Sequence, residues 1–444
     1  MRHSWKSITF YGGFGVLVIW MFLSWITDIA SLETYTDEIP WVLDSQFYTY
    51  RRQKQWEKFV LPKQYTSFSW AEPSHRLLDQ PQLGKYIFGF FLSLVGKNTW
   101  DESLAQELYK NFPNGKLPRG SRLIEAYPKI GRTMTEAILT MRITSAGVGV
   151  IAIALFGFCL AKLTKNRLTG IITIGVLYWH PVIRDTFRHA MTDSFFICTF
   201  LLSWIILFVL LKQMNSHFQA KRFTLCLLFG MLIAVSTSIK LPAIMLLPLP
   251  IIMIGGHLLG SQFLWRNAKH AAISIQSAIA AGISIVGSFS LVFLFLEPEL
   301  WDRPMKGMVF LFGSRILQQE RFYIFFGKLS LIELSYRLPQ VFLPLPSHTI
   351  LWVGLTSALV VGTYTLLKSA EKNLEIRILC LIGAYIICSN LTYARLPFNE
   401  RYLIPGIFIF AAISAFGFHM MINAGINNIT AIIAGKKKQK IKMF

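Results

Sequence analysis

Apolar residues form long uninterrupted stretches along the whole chain, and polar residues collect in the segments between them. Apolar runs of about 17 to 25 residues match the thickness of a bilayer core, so the pattern predicts about ten membrane-spanning helices. They are predicted near residues 8 to 26, 142 to 161, 168 to 183, 192 to 211, 223 to 239, 242 to 259, 271 to 296, 349 to 367, 376 to 394 and 402 to 422. No small-residue cleavage site follows the first run, so we expect a retained helix rather than a secretory signal.

The composition agrees with this pattern. Hydrophobic residues make up 53% of the 444 residues and charged residues only 15%, which is far from the averages of soluble domains. We therefore predict an all-α polytopic membrane protein in which residues 1 to 444 form a single transmembrane domain. All five cysteines fall inside predicted spans, so we expect packing residues and neither a disulfide nor a cysteine-based metal site.

Basic residues orient the predicted bundle, because Lys and Arg concentrate in short cytoplasmic loops. With the N-terminus inside, the inner segments are residues 1 to 7, 162 to 167, 212 to 222, 260 to 270, 368 to 377 and 423 to 444. They contain 18 of the 44 Lys and Arg residues but only two of the 23 acidic residues. Both termini are therefore predicted to be cytoplasmic, and the basic tail 423 to 444 can lie against anionic lipid. This orientation accounts for the net charge of +21, so nucleic acid is not an expected partner.

Two long segments, 27 to 141 and 297 to 348, are predicted to lie on the outer side. Both mix aromatic and aliphatic residues with basic ones over stretches too short or too charged to span, which is typical of helices in the interface plane. Long ordered loops commonly carry function. Residues 97 to 135 look like an insertion before the second span, and the sequence assigns them no role.

Ionisable residues recur at the predicted outer ends of the spans. They are Asp37, Glu38, Lys85, Arg142, Arg188, Asp193, Lys240 and Arg401, the last followed by Tyr402. An ionisable group at membrane depth is costly unless it faces a polar cavity or a partner. Because these positions share one predicted membrane level, we expect them to form a single site.

The order of these motifs resembles the C superfamily of glycosyltransferases (GT-C), and within it the protein O-mannosyltransferase and aminoarabinose transferase branch. The matching elements are the acidic pair Asp37 and Glu38, "QPQLGK" ending at Lys85, Arg142, "RHAMTD" from Arg188 to Asp193, "GMLIAVSTSIK" ending at Lys240, and "RYLIP" starting at Arg401. The resemblance covers nearly the whole chain. It departs from the branch at Gln80, at Gln82 and in "IPWVLDSQFY" after the acidic pair, which leaves the substrate open.

The resemblance implies a GT-C bundle of about ten transmembrane helices, with interfacial helices in the long first outer loop. It implies a membrane glycosyltransferase that moves a sugar from a polyprenyl-phosphate carrier to an acceptor hydroxyl or phosphate on the outer face. The acceptor is left open among a glycolipid, a secreted protein and a cell-wall polymer, and the sugar among mannose, glucose, a pentose and an amino sugar. The expected setting is a prokaryotic plasma membrane.

In the expected chemistry, the acids and the cations have different roles. One carboxylate can remove the proton of the acceptor hydroxyl as a general base, and we assign this role to Asp37, with inversion at the sugar carbon. Glu38 either orients the base and acceptor or pairs with a nearby arginine. Fixed cations and a hydrogen-bond donor can stabilise the departing phosphate. The candidates for this second role are Lys85, Arg188, Lys240, Arg401 and Tyr402.

Each of these residues also has a structural interpretation. Lys85 can reach water by snorkelling from an interfacial segment. Arg188 and Asp193 can form a structural pair, and Arg142 can hold the interfacial helices against the bundle. Tyr402 can anchor the chain in the interface, which is a common place for tyrosine.

His180 and His189 flank one predicted outer loop. Two histidines with one acid between them are too weak a constellation to indicate a metal, so we expect polar caps at helix ends. We likewise expect no required metal or cofactor, because the lipid-linked sugar is itself a substrate.

Two other classes of protein stay open. A lipid or sugar transporter would also hold charges within the membrane, but it favours inverted repeats and a site at the bilayer midplane. A non-catalytic homologue would keep the helices and lose the carboxylates, whereas Asp37 is present.

Overall fold

The computed structural model describes residues 2–34, 38–60, 81–97, 128–213, 219–258, 275–301, 349–370, 374–394 and 400–442, together with positions 304, 305, 307, 308, 311 and 342. The α-helices in these ranges are α1 (Arg2–Ile26), α2 (Glu38–Asp44), α3 (Gln46–Arg52), α4 (Gln82–Leu94), α5 (Pro128–Leu163), α6 (Arg167–Trp179), α7 (Pro181–Arg188), α8 (Asp193–Gln213), α9 (Gln219–Ile239), α10 (Pro248–Leu258), α11 (Ile275–Leu296), α12 (Thr349–Ala370), α13 (Leu374–Ala394) and α14 (Ile404–Lys442). The regular structure described is thus entirely helical.

Six helices among the described residues are long and apolar enough to cross a membrane. They are Gly12–Ser31, Gly131–Leu163, Asp193–Gln213, Lys221–Ile239, Gln276–Leu296 and Glu400–Ile426. Shorter apolar helices are Arg167–Trp179, Leu241–Met253 and Ile376–Ser389. These lengths and compositions confirm an integral, all-α membrane protein.

Prolines interrupt two of the predicted spans. The span expected over 168 to 183 is wrong at its end, because α6 stops at Trp179 and α7 begins at Pro181. His180 between them has an extended backbone, with ψ of 117°, as favoured for a residue that precedes proline. The span expected over 242 to 259 is likewise divided into a 3₁₀ turn, Leu241–Leu246, and α10.

Two other helices extend beyond their predicted ends. Helix α5 begins at Pro128, so part of the predicted outer segment 27 to 141 belongs to it. Helix α14 continues to Lys442, so most of the predicted tail 423 to 444 is a continuation of a helix. Hydropathy alone marks only the apolar part of such a helix, and the polar turns at its end escape it.

The chain divides into two compact units. The first consists of residues 1–152, 183–328 and 395–401. Within it, α9 packs against α8 and α11, and helix α4 packs against α2, α3 and α9. A Cβ atom added at Gly230 of α9 would lie 2.3 Å from the carbonyl oxygen of Ile285, so α9 and α11 approach closely.

The second unit consists of residues 153–182, 329–394 and 402–444. Its long helix α14 packs against α6, α12 and α13. A Cβ atom added at Gly417 would lie 1.7 Å from the carbonyl oxygen of Ala358, so the backbones of α14 and α12 are in contact. Asn166 caps α6 by accepting a hydrogen bond of 2.8 Å from the amide of Leu168.

The segment 27 to 141, for which interfacial helices are predicted, contains the helices α2, α3 and α4. Aromatic side chains hold them to the first unit: Trp41 of α2 lies 5.9 Å from Phe88 of α4, which in turn lies 5.7 Å from Phe195 of α8, between ring centroids. A second cluster joins Phe47, Phe59 and Tyr86. These contacts place Lys85 of α4 in the interior of the first unit.

Candidate active site

The segment 190–193, which leads into α8, lies against several of the motifs singled out in the sequence. The amide of Ala190 donates a hydrogen bond of 2.7 Å to Oε1 of Glu38. The guanidinium of Arg401 lies 3.5 Å from the sulfur of Met191. Glu38 and Arg401, which are far apart in the chain, therefore contact two neighbouring residues of this segment.

The next two residues of the same segment contact two further motifs. A Cβ atom added at Gly84 would lie 2.8 Å from Cγ2 of Thr192, so only glycine lets the "QLGK" segment approach so closely. Lys240 donates a short hydrogen bond to Oδ1 of Asp193, and both side chains are buried. The segment 190–193 thus contacts all four of Glu38, Arg401, Gly84 and Lys240.

Arg142 binds both ends of the stretch that contains Asp37. Its guanidinium donates to the carbonyl oxygens of Ile29, Leu32 and Glu33, each at 3.0 Å. It also donates to both carboxylate oxygens of Glu38, at 2.8 and 2.7 Å. Asp37 itself lies outside the described residues. We call this buried group of Glu38, Arg142 and the three carbonyls the Arg142 anchor.

The Arg142 anchor leaves no donor for a ligand. A guanidinium has five N–H groups, and all five of those of Arg142 are used. Glu38 accepts two of them together with the amide of Ala190, so its carboxylate is held within the protein. Of the two interpretations of Glu38, the contacts favour pairing with an arginine, and Arg142 holds helix α2 as the structural interpretation expected.

Arg188 and Asp193 have different partners. Nε of Arg188 donates to the carbonyl oxygen of Trp25 at 3.0 Å, and its Nη2 makes a short contact with Asp28. Asp193 pairs with Lys240 instead. The proposed pair of Arg188 with Asp193 is therefore wrong, because α7 directs the arginine towards the end of α1.

Lys85 is fully buried, so the interpretation that it snorkels to water is wrong. Its Nζ lies 3.8 Å from Oδ2 of Asp44 and 5.1 Å from the centre of the Phe47 ring. Close packing of α4 draws the lysine inside: a Cβ atom added at Gly89 would lie 2.4 Å from the carbonyl oxygen of Ser45, so only glycine allows this approach to α3.

Two acids that the sequence reasoning missed, Glu297 and Glu299, lie near Lys85. The amide of Gln82, the first residue of α4, donates to Oε2 of Glu297 at 3.0 Å. Both carboxyl groups are buried. We call the group of Asp44, Gln82, Lys85, Glu297 and Glu299 the Lys85 pocket.

Burial raises the pKa of both Glu297 and Glu299 above the ordinary value of 4.5, and the neighbouring charge of Glu299 raises that of Glu297 further. The charge of Lys85 opposes the rise at Glu299. Burial also raises the pKa of Tyr86, and both glutamates add to that rise. The pocket thus disfavours further negative charge.

The signal that would have found these acids was present in the sequence. "LFLEPEL" places two acids two residues apart directly after an apolar run, at the predicted outer end of a span, where Asp37 and Glu38 were also placed. The mixture of aromatic, aliphatic and basic residues in the segment 297 to 348 indicates interfacial helices and does not by itself single out these two acids. Most of that segment lies outside the described residues.

The remaining predicted residues lie at or near helix ends. Arg401 and Tyr402 are both half-buried, in the 3₁₀ turn Glu400–Leu403 that precedes α14. His180 is buried at the end of α6, and the ring nitrogens of His189 lie 2.7 and 3.1 Å from the carbonyl oxygens of Asp185 and Glu33. In the part of the chain that the structure describes, no three His, Cys, Asp or Glu side chains are arranged to hold a metal ion.

Comparison with protein-family models, with curated proteins and with solved structures finds no match for this chain. The geometry of the first unit is therefore the basis for the functional proposal that follows.

Proposed function

We propose that the protein is a membrane glycosyltransferase that moves a sugar from a polyprenyl-phosphate carrier to an acceptor on the outer face of a prokaryotic plasma membrane, with a ten-helix GT-C bundle. The observation that carries the proposal is the meeting of four motifs at the segment 190–193. An acid, two cations and a glycine of helix α4 meet four consecutive residues of this segment, which supports a shared site.

The transfer is a single displacement. The carboxylate of Asp37 takes the proton of the acceptor hydroxyl, whose oxygen forms a bond to the anomeric carbon of the sugar. The bond from that carbon to the phosphate oxygen breaks, and polyprenyl phosphate leaves with the electron pair. The sugar carbon is inverted. Glu38 is a positioning residue here, because Arg142 and Ala190 hold its carboxylate.

Arg401 is the first candidate to stabilise the departing phosphate. Its side chain is half-buried and can meet a headgroup at the interface, whereas Lys85, Arg188 and Lys240 are buried. Each of these three lies beside a carboxylate, so each helps to set the local charge. A planar guanidinium can also bind two phosphate oxygens at once. Tyr402, next in the chain, is a candidate hydrogen-bond donor.

Transfer and binding are tested separately. The purified protein is incubated with a panel of radiolabelled polyprenyl-phosphate sugars and membrane extract, using wild type, Asp37→Asn and Arg401→Ala. We expect transfer by the wild type, none by Asp37→Asn, and weaker binding of polyprenyl phosphate by Arg401→Ala. Arg377→Ala is the matched control, because Arg377 is a buried arginine that donates to the carbonyl oxygen of Ala370 on the predicted inner side.

Three results contradict the proposal. Transfer by Asp37→Asn at the wild-type rate removes Asp37 as the base. Unchanged phosphate binding by Arg401→Ala, with Arg377→Ala as reference, removes Arg401 from the site. Movement of an unaltered lipid-linked sugar across vesicles, without transfer, favours the transporter instead.

A further inference from the structure

Glu297 and Glu299 occupy the turn that follows α11, where two outer elements are joined. Arg51 of α3 donates to the carbonyl oxygens of Phe295 and Leu296 at 3.1 and 3.3 Å. The amide of Gln82, at the start of α4, donates to Glu297. A helix leaves its first amides without backbone partners, so the Glu297 carboxyl group provides one of the missing acceptors.

The two glutamates are adjacent and wholly buried, and their hydrogen bonding is uneven. Glu297 accepts from Gln82, whereas neither oxygen of Glu299 accepts a hydrogen bond of normal geometry from a described residue. Two buried carboxylates side by side repel each other strongly in a medium of low polarity. A single proton between them removes the repulsion and gives one carboxyl group a donor for the other.

We propose that Glu297 and Glu299 hold one proton between them at neutral pH and act as a positioning pair for Lys85. The neutral member faces the start of α4, and the ionised charge of the pair is directed at Lys85, whose other carboxylate neighbour is Asp44. The proton therefore sets the charge around the lysine.

The groups that surround the pair are consistent with one proton. They are Asp44 and Arg51 from the first outer segment, Gln82, Lys85 and Tyr86 from α4, and Ser238 from the end of α9. Arg51 stacks over the ring of Tyr86 at 4.7 Å and donates to neutral carbonyl oxygens, so it keeps its positive charge. Lys85 and Arg51 are the two cations among these groups, and they can balance two of the three carboxylates of Asp44, Glu297 and Glu299. The proton neutralises the third.

A consequence follows for the lipid carrier, and this part rests on the proposed function. Loss of the shared proton places another negative charge beside Lys85 and repels an anionic phosphate headgroup. Binding of polyprenyl phosphate is then expected to weaken as the pH rises through the titration of the pair. Glu297→Gln removes that dependence, because a glutamine amide donates to Glu299 at every pH.

Infrared absorption by protonated carboxyl groups tests the pair directly. At neutral pH the wild type is expected to show the carboxylic-acid band, and Glu297→Gln and the double variant Glu297→Gln, Glu299→Gln are expected to lack it. Glu136→Gln is the control, because Glu136 is exposed and lies 2.7 Å from Lys97. Absence of the band from the wild type, or its persistence in the double variant, overturns the proposal.

The wild type alone also decides the question if a variant fails to fold. Its carboxylic-acid band is expected to disappear as the pH is raised, with release of one proton, and a band that does not titrate overturns the proposal. The proposed function fails differently: if polyprenyl phosphate binds at no pH while the band titrates, the pair stands and the glycosyltransferase assignment falls.

Discussion

Two buried charged groups in the first unit differ in how completely their charges are matched. In the Arg142 anchor, one arginine and one glutamate share two hydrogen bonds, and the remaining donors of the arginine bind carbonyl oxygens. In the Lys85 pocket, the amine of Lys85 lies 3.8 Å from Asp44 and its charge also acts on Glu299, which adjoins Glu297. The first group pairs one cation with one acid, whereas the second contains three acids and one lysine.

This difference indicates that one group has a fixed structural role and that the charge of the other can change. A saturated ion pair resists change, because removal of either partner leaves a buried charge behind. A cluster with more acids than cations holds protons whose binding depends on pH and on nearby charge. The anchor therefore positions the stretch that contains Asp37, while the Lys85 pocket can respond to its surroundings.

Arg142→Met is expected to have the largest effect, since it leaves the buried carboxylate of Glu38 without its cation. The cost expected for breaking such a pair is roughly 3–5 kcal/mol. Thermal unfolding in detergent should show a large fall in Tm or no folded protein. Arg132→Met is the control on the same helix, because Arg132 is largely exposed. Equal Tm values for the two variants would mean that the anchor is not a structural element.

Gly89→Ala is expected to disturb the Lys85 pocket and spare the anchor. The added Cβ atom would lie 2.3 Å from Cβ of Tyr48, so α4 must move away from α3. Such overpacking costs roughly 1–3 kcal/mol, visible as a lower Tm. Gly175→Ala in α6 is the matched control, because nothing lies within 4 Å of its added Cβ atom. A Tm for Gly89→Ala equal to that of the control would contradict the close approach.

The pH dependence of stability should come from the Lys85 pocket. The folded protein holds the proton of Glu297 and Glu299 more tightly than the unfolded chain, because the pKa of each group is raised above 4.5 on folding. The contribution is thus complete at low pH and is lost as the pH rises from about that value through the folded pKa. Thermal unfolding across this range should show a falling Tm for the wild type and a shallower fall for Glu297→Gln. Parallel curves would exclude the pair as the source.

Lys97→Ala is expected to have the smallest effect, although its ion pair is as short as that of the anchor. Both N–O distances are 2.7 Å, but the side chains of Lys97 and Glu136 are 28% and 46% exposed, against 3% and 0% for Arg142 and Glu38. Water screens the exposed pair and replaces it when it is lost. The Tm should equal that of the wild type. A fall as large as for Arg142→Met would mean that burial does not explain the difference.

The helices were the part of the fold most open to prediction from sequence. The apolar runs near 192 to 211, 223 to 239 and 271 to 296 correspond to α8, α9 and α11, because a bilayer requires long apolar helices wherever the chain crosses it. The breaks at His180 and Leu247 escaped prediction although a proline directly follows each of these residues. A window that averages hydropathy does not register a change of backbone direction.

The sequence singled out the charged residues of the candidate site, but it did not show which residues they pair with. Lys240, Asp193, Arg188 and Lys85 were singled out because ionisable groups are costly at membrane depth. Their partners depend on which helices approach, and the glycines at 84 and 89 decide how closely α4 can pack. Glu297 and Glu299 become notable only because they lie at the start of α4, which is distant from them in the chain.

The pattern of apolar and charged residues is enough to predict an all-helical membrane protein and to show which charged residues require an explanation. Hydrophobicity and charge are properties of each residue and its close neighbours, and they can be judged along the chain. Only the packing of the helices shows that Arg142 is saturated, that Asp193 pairs with Lys240, and that Glu299 lies within reach of the charge of Lys85. Pairing depends on distances of a few ångströms between segments far apart in sequence, and packing fixes those distances.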